Sequence, residues 1–185
     1  MAVLDVAGFV ADLKDYAVEH GFHVHDERHF VESYSLRQTW EVDLHPEDAC
    51  EGPVDLYAAL EVDPRTLLGF EDAFIGLDDD QEPADDFHFP LNWTWAMPLL
   101  PHGPDLLVLA TDIAAVGGPP LPLEVSATDS YPSVTDAPER TLRIVARQQV
   151  SLVRMRNGDE VPCETLDRCA GVSRYLLSRA PEWLY

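Results

Sequence analysis

The chain reads as an α+β protein, an antiparallel sheet packed against an N-terminal helix and one or two C-terminal helices, in a single acidic domain over residues 1–185. Three observations predict this. Val6, Phe9, Val10, Leu13 and Ala17 recur at three- and four-residue steps near the start, the spacing of a helix with one apolar side. Residues 34–44 and 54–62 instead alternate apolar and polar side chains, the period of strands with one buried and one wet face. Amphipathic segments of helical spacing return in the last third.

Taken in order, the opening helix covers residues 3–20, and Gly21 stops it. Residues 22–32 mix histidines with charges and predict a short strand and a turn. In 34–44, Tyr34, Leu36, Trp40, Val42 and Leu44 share the dry face, while Ser35, Arg37, Thr39, Glu41 and Asp43 share the wet one. The antiparallel partner is 54–62, joined to it by the turn-forming stretch HPEDACEGP. Asp63-Pro64 starts a helix with Leu67, Leu68 and Phe74 on its apolar side. Strands are expected near 92–97, 106–112 and 121–128, in a region punctuated by prolines and Gly117-Gly118. Asp136 precedes an amphipathic segment, 138–156, whose five arginines and two glutamines favour a helix stopped by Asn157-Gly158. The alternative is a hairpin, because Ile144, Val145, Val150 and Val153 are β-branched. A last helix, 164–178, ends before Pro181. This order of elements resembles that of small acidic secretion chaperones, which are often dimers; no motif is shared.

Charge excludes more than it identifies. Against 34 acidic residues stand 12 basic ones, and the net charge of -22 repels nucleic-acid phosphates and anionic lipid alike. Nucleic acid and membrane are therefore not expected partners. The imbalance is uneven. Residues 1–139 hold 29 acids and 4 bases, whereas 140–185 hold 5 acids and 8 arginines. No stretch reaches the roughly 20 apolar residues of a membrane span, and Asp5 and Asp12 occupy the place of a basic leader. A cytoplasmic protein is expected, and with it free thiols at Cys50, Cys163 and Cys169.

Four constellations could carry chemistry. His20, His23, His25 and His29 fall within ten residues, and on a strand His23 and His25 point the same way, as two zinc ligands would. His29 or Asp26 would complete a site. The string from His25 to His29 misses the HExxH pattern because Asp26 stands where the glutamate base belongs. With no third ligand fixed by spacing, no cofactor is expected. The acidic run 78–86 fails as a calcium loop, since Pro83 takes the position that needs glycine. Phe87, Phe89, Trp93 and Trp95 alternate as core aromatics do. Arg140, Arg143, Arg147 and Arg154 fall in one sector of a helical wheel and make a candidate partner-binding stripe. Serine-nucleophile elbow, P-loop and dinucleotide fingerprints are all missing.

The sequence thus favours a non-enzymatic protein-interaction module, an adaptor, chaperone-like protein or antagonist, that binds another protein or a second copy of itself through segregated charge. Two alternatives remain open. One is a metal-binding protein or metal-dependent enzyme using His23, His25 and His29; the other is an acidic nucleic-acid mimic using the 78–86 run.

Overall fold

The computed structural model describes residues 4–78, 81–131, 133–134 and 139–185. Its sheet has six strands, all antiparallel, in the order β1-β2-β3-β4-β6-β5. The predicted α+β class, with helices at both ends of the chain against an antiparallel sheet, is what the structure shows.

Helix α1 (Val6–Glu19) buries Phe9, Val10, Leu13 and Ala17, its predicted stripe, and the Asp5 carboxylate caps it by accepting from the Gly8 amide at 2.7 Å. Val3, placed at its start by the sequence, lies outside the described residues. Gly21, at φ +82°, takes the left-handed turn that ends the helix. The chain then enters β1 (Phe22–Val31), a full ten-residue strand rather than a short one, exposed along most of its length at one edge of the sheet.

The strand β2 (Gln38–Pro46) begins four residues later than the alternation suggested. Because β1 pairs with it antiparallel, residues 32–37 have to reverse the chain, and Tyr34 and Leu36 stand exposed at the turn. The firmest expectation, the pairing of β2 with β3 (Asp55–Val62), holds in register: Trp40 faces Leu60, Val42 faces Ala58 and Leu44 faces Leu56. Helix α2 (Pro64–Asp72) starts at the expected proline, with Asp63 accepting from the Arg65 amide. Phe70 rather than Leu67 or Leu68 is its buried residue. Strand β4 (His88–Ala96) carries the aromatic alternation, with Phe89, Trp93 and Trp95 all within the core.

Two expectations were wrong about element type. Residues 106–112 form the first part of helix α3 (Leu106–Gly117), not a strand. Asp105 caps it by accepting from the amides of Leu107 and Val108, and Leu109, Ile113 and Gly117 recur every four residues on its buried side. The second correction concerns 138–156, which within its described residues, 139–156, is a long strand running into a short helix rather than one helix or a hairpin. After β5 (Leu123–Ser130), strand β6 (Glu139–Ser151) runs between β4 and β5. Ser151 then caps the short helix α4 (Leu152–Asn157), which ends where Gly158 turns left-handed at φ 75°. Pairing on both edges of β6 outweighs the helical leaning of its arginines. Asp136, expected to open a helix there, lies outside the described residues.

The last helix, α5 (Cys163–Leu184), continues through Pro181, because Ala180 and Trp183 beyond the expected stop are buried. Helix α5 touches both α1 and α3, and the three lie against one face of the sheet. Two buried indoles lock this layer. Trp95 donates to the Ser173 hydroxyl of α5 at 2.9 Å, and Trp93 donates to Gln148 at 2.8 Å. Gln148 in turn donates to Thr165 at the start of α5 and to the Pro120 carbonyl. Among the described residues, no helix is long and apolar enough to cross a membrane.

Candidate functional site

The buried side chains of β2, β3, β4 and β6 sit at alternate positions facing the helices, apart from Ser151 at the end of β6. The intervening positions make up the other face of the sheet, which α1, α3 and α5 leave uncovered. A recess of about 640 Å³ lies on it, with Tyr57, Ala59, Asn92, Thr94 and Val145 along its floor and Arg143 and Arg147 at one side.

Cross-strand register orders this face in rows. One row runs Arg28, Glu41, Ala59, Asn92, Arg147 from β1 to β6. The next runs Asp26, Asp43, Tyr57, Thr94, Val145. A third carries Asp55, Ala96 and Arg143. Acids therefore gather on β2 and β3, arginines on β6, and uncharged β4 separates them. With strands about 4.8 Å apart, Asp55 and Arg143 stand about 10 Å from each other across the sheet.

The four acids that β2 and β3 place on this face have partners, whereas Glu124 of β5, opposite Val145, is exposed and makes no ion pair among the described residues. Glu41 pairs with Arg28 at 3.7 Å, and Glu61 accepts from the Asn92 amide at 2.7 Å. Asp43 and Asp55 both lie 3.3 Å from Nε2 of His45. Burial, followed by the charges of Asp55 and Asp43, pushes the Tyr57 phenol above its ordinary pKa, so it stays a neutral donor at physiological pH. Arg143 and Arg147 differ: both are exposed, and among the described residues neither makes an ion pair.

The arginine stripe of the sequence is thereby divided. On a strand, Arg140 falls on the opposite parity from Arg143 and Arg147, and it holds Asp129 two-pronged at 2.6 and 2.7 Å. That bond holds the Asp129 carboxyl below its ordinary pKa. Arg154 sits on α4, pairs with Glu160 at 3.4 Å and donates to the Asp159 carbonyl. Only Arg143 and Arg147 share a surface.

The histidines divide as well. His20 pairs with Asp167 of α5 at 2.6 Å. His29 stacks on Trp40, ring centroids 3.8 Å apart, and bonds Gln38. It stands apart from His23 and His25, which meet a residue the histidine spacing did not suggest. Cys50 Sγ lies 2.8 Å from His23 Nδ1 and 3.0 Å from His25 Nε2. His45, which the histidine spacing did not suggest either, packs against His25 with ring centroids 4.2 Å apart and the planes tilted by 38°. The usable signal was the β2–β3 loop, which has to return toward the start of β1 once residues 22–31 are recognised as a strand. Of the remaining thiols, Cys169 is buried, which pushes its pKa well up and leaves it inert, and Cys163 is half-buried; all three are unpaired. The acidic run keeps Glu82 bonded to Asn157, while Asp79 and Asp80 lie outside the described residues.

No protein-family model matches the chain, and no curated protein or solved structure matches it significantly.

Proposed function

We propose that this chain is a non-enzymatic, cytoplasmic protein-interaction module whose uncovered sheet face receives an acidic segment of a partner protein. One observation carries the reading. In a chain of net charge -22, Arg143 and Arg147 stand on the open face without an ion pair, while the acids of β2 and β3 across it already have partners. Arginine presents a planar fork that matches a carboxylate two-pronged, and Arg143 and Arg147 stand four residues apart on one strand, a separation of about 13 Å. Two carboxylates four residues apart on an extended segment have the same spacing. The phenol of Tyr57 and the hydroxyl of Thr94 lie in the recess beside them and supply neutral hydrogen-bonding groups for such a segment. Rigid strands carry every one of these groups, so the face is set before the partner arrives.

The double substitution Arg143→Glu with Arg147→Glu tests this. Both side chains are exposed and unpaired, so thermal melting stays within a few degrees of wild type. Capture of the partner from the native host is lost, and it is retained by Arg140→Glu or Arg154→Glu variants that remain folded. Size-exclusion light scattering separates the outcomes: loss of a dimer in the double variant would identify a second copy as the occupant. Unchanged capture and mass would remove the reading.

A further inference from the structure

At the edge of the sheet, the start of β1 and the β2–β3 loop bring two imidazoles and a thiol to one point. The ladder between β1 and β2 shifts register between Val24 and Asp26, leaving His25 as an extra residue in β1. This irregularity lies where His23 and His25 both reach one sulfur. Their ring nitrogens and Cys50 Sγ all lie within 4.8 Å of one another. The loop that carries Cys50 is held from several sides. The Glu47 amide donates to the Gly21 carbonyl at 2.9 Å, just before β1, and the Gly52 amide donates to the Ala49 carbonyl at 2.8 Å. His45 Nδ1 lies 3.1 Å from the Cys50 carbonyl while its ring backs His25, and Asp43 and Asp55 hold its other nitrogen.

Hydrogen bonding alone accounts poorly for this convergence. A thiol has one proton to donate, and sulfur is a weak acceptor, yet two imidazole nitrogens point at the same atom. A metal ion satisfies all three donors at once. We infer that His23, His25 and Cys50 bind one zinc-type divalent transition-metal ion, with the fourth position open to solvent or to a partner's side chain. Zinc takes nitrogen at about 2.0–2.1 Å and sulfur at about 2.3 Å, which places tetrahedral ligand atoms roughly 3.3–3.6 Å apart. The two nitrogen–sulfur distances, 2.8 and 3.0 Å, reach that spacing by opening roughly 0.6–0.8 Å. Soft thiolate with imidazole selects zinc over magnesium or calcium, and three protein ligands with one free position describe an accessible site rather than a closed structural one. His45 is the supporting residue: it fixes the Cys50 backbone and the plane of His25, as outer partners of metal ligands do. The surrounding charge of -22 raises the local concentration of cations.

The test uses full-length protein, chelator-treated and kept reduced, titrated with cobalt and then zinc. One cobalt per chain binds, giving visible bands of tetrahedral cobalt and a near-ultraviolet thiolate-to-cobalt band, and zinc displaces it. Cys50→Ser abolishes the near-ultraviolet band and weakens zinc binding at least tenfold, and His23→Ala weakens it similarly. His45→Ala lowers affinity about tenfold while keeping the band. His29→Ala and Cys163→Ser bind as wild type. Metal-free circular dichroism checks each fold. Should Cys50→Ser unfold, alkylation of Cys50 in a folded Cys163→Ser protein replaces it and gives the same loss. Absence of saturable binding overturns the assignment, as does one-to-one binding that neither Cys50→Ser (or its alkylated substitute) nor His23→Ala alters.

Discussion

Ser173 contributes a single hydroxyl to the core, and its removal has a calculable cost. Its oxygen accepts from the Trp95 indole at 2.9 Å, and both residues are sealed from solvent, at 0% and 1% exposure. Ser173→Ala leaves that N–H buried without an acceptor, a penalty of about 1–3 kcal/mol. Alanine's better helix propensity returns about 0.5 kcal/mol. The net loss is about 1–2 kcal/mol, which for a domain of this size lowers Tm by roughly 2–8 °C. The decisive assay is a double-mutant cycle in urea. In a Trp95→Phe background no donor remains, so the same serine change costs about nothing, and the coupling between the two sites is about 1–2 kcal/mol. Equal cost of Ser173→Ala in both backgrounds would show that the bond does not tie α5 to β4.

Gln148→Ala removes the acceptor of the buried Trp93 indole together with the bonds to Thr165 of α5 and to the Pro120 carbonyl, and equilibrium unfolding should show a loss of about 2–3 kcal/mol. Leu36 is exposed at φ 56°, where a side chain costs about 1–2 kcal/mol, so Leu36→Gly should raise stability by about 0.5–1 kcal/mol after the entropy of glycine is subtracted. Arg140 lowers the folded pKa of Asp129, so the stability this carboxylate provides is complete above the ordinary carboxylate pKa and drains away as pH falls through the lower, folded value. The stability gap between wild type and Asp129→Asn, followed by denaturation from neutral to acid pH, should be constant near neutrality and close below about pH 4.

What the sequence reveals depends on whether the deciding contact is local. The α1 stripe, the β2–β3 alternation from Gln38 onward and the Asp63-Pro64 start are local patterns found where they were expected, whereas Tyr34 and Leu36, assigned to the dry face, fall in the turn before β2. The stretch from Arg140 to Val150 satisfies two periods at once. Its arginines fall in one helical sector, while Leu142, Ile144 and Ala146 alternate with Arg143, Val145 and Arg147. Pairing with β4 and β5 settles the matter, and neither strand adjoins that stretch tightly enough for a turn motif to announce it. The opening of α3 is apolar on all sides, with Leu107 and Val108 exposed, so periodicity was silent there and the Asp105 cap was the better guide. For the site, alternation correctly put His23 and His25 on one side, and it put Arg143 beside Arg147 only once β6 is a strand. Cys50 was missed because its meeting with His23 and His25 depends on the path of the β2–β3 loop, held by the Gly21 carbonyl, and no spacing rule encodes that contact.

The claim that the uncovered face of the sheet is where a partner docks is most directly tested by a photo-crosslinking residue at Thr94, on the floor of the recess, introduced in cells of the native host. The same probe at Arg174, exposed on α5, serves as the comparison. The account predicts a discrete cross-linked protein from position 94 that disappears with Arg143→Glu and Arg147→Glu, and none from position 174. Cross-linking at 174 but not at 94, or at 94 without regard to the two arginines, would contradict it.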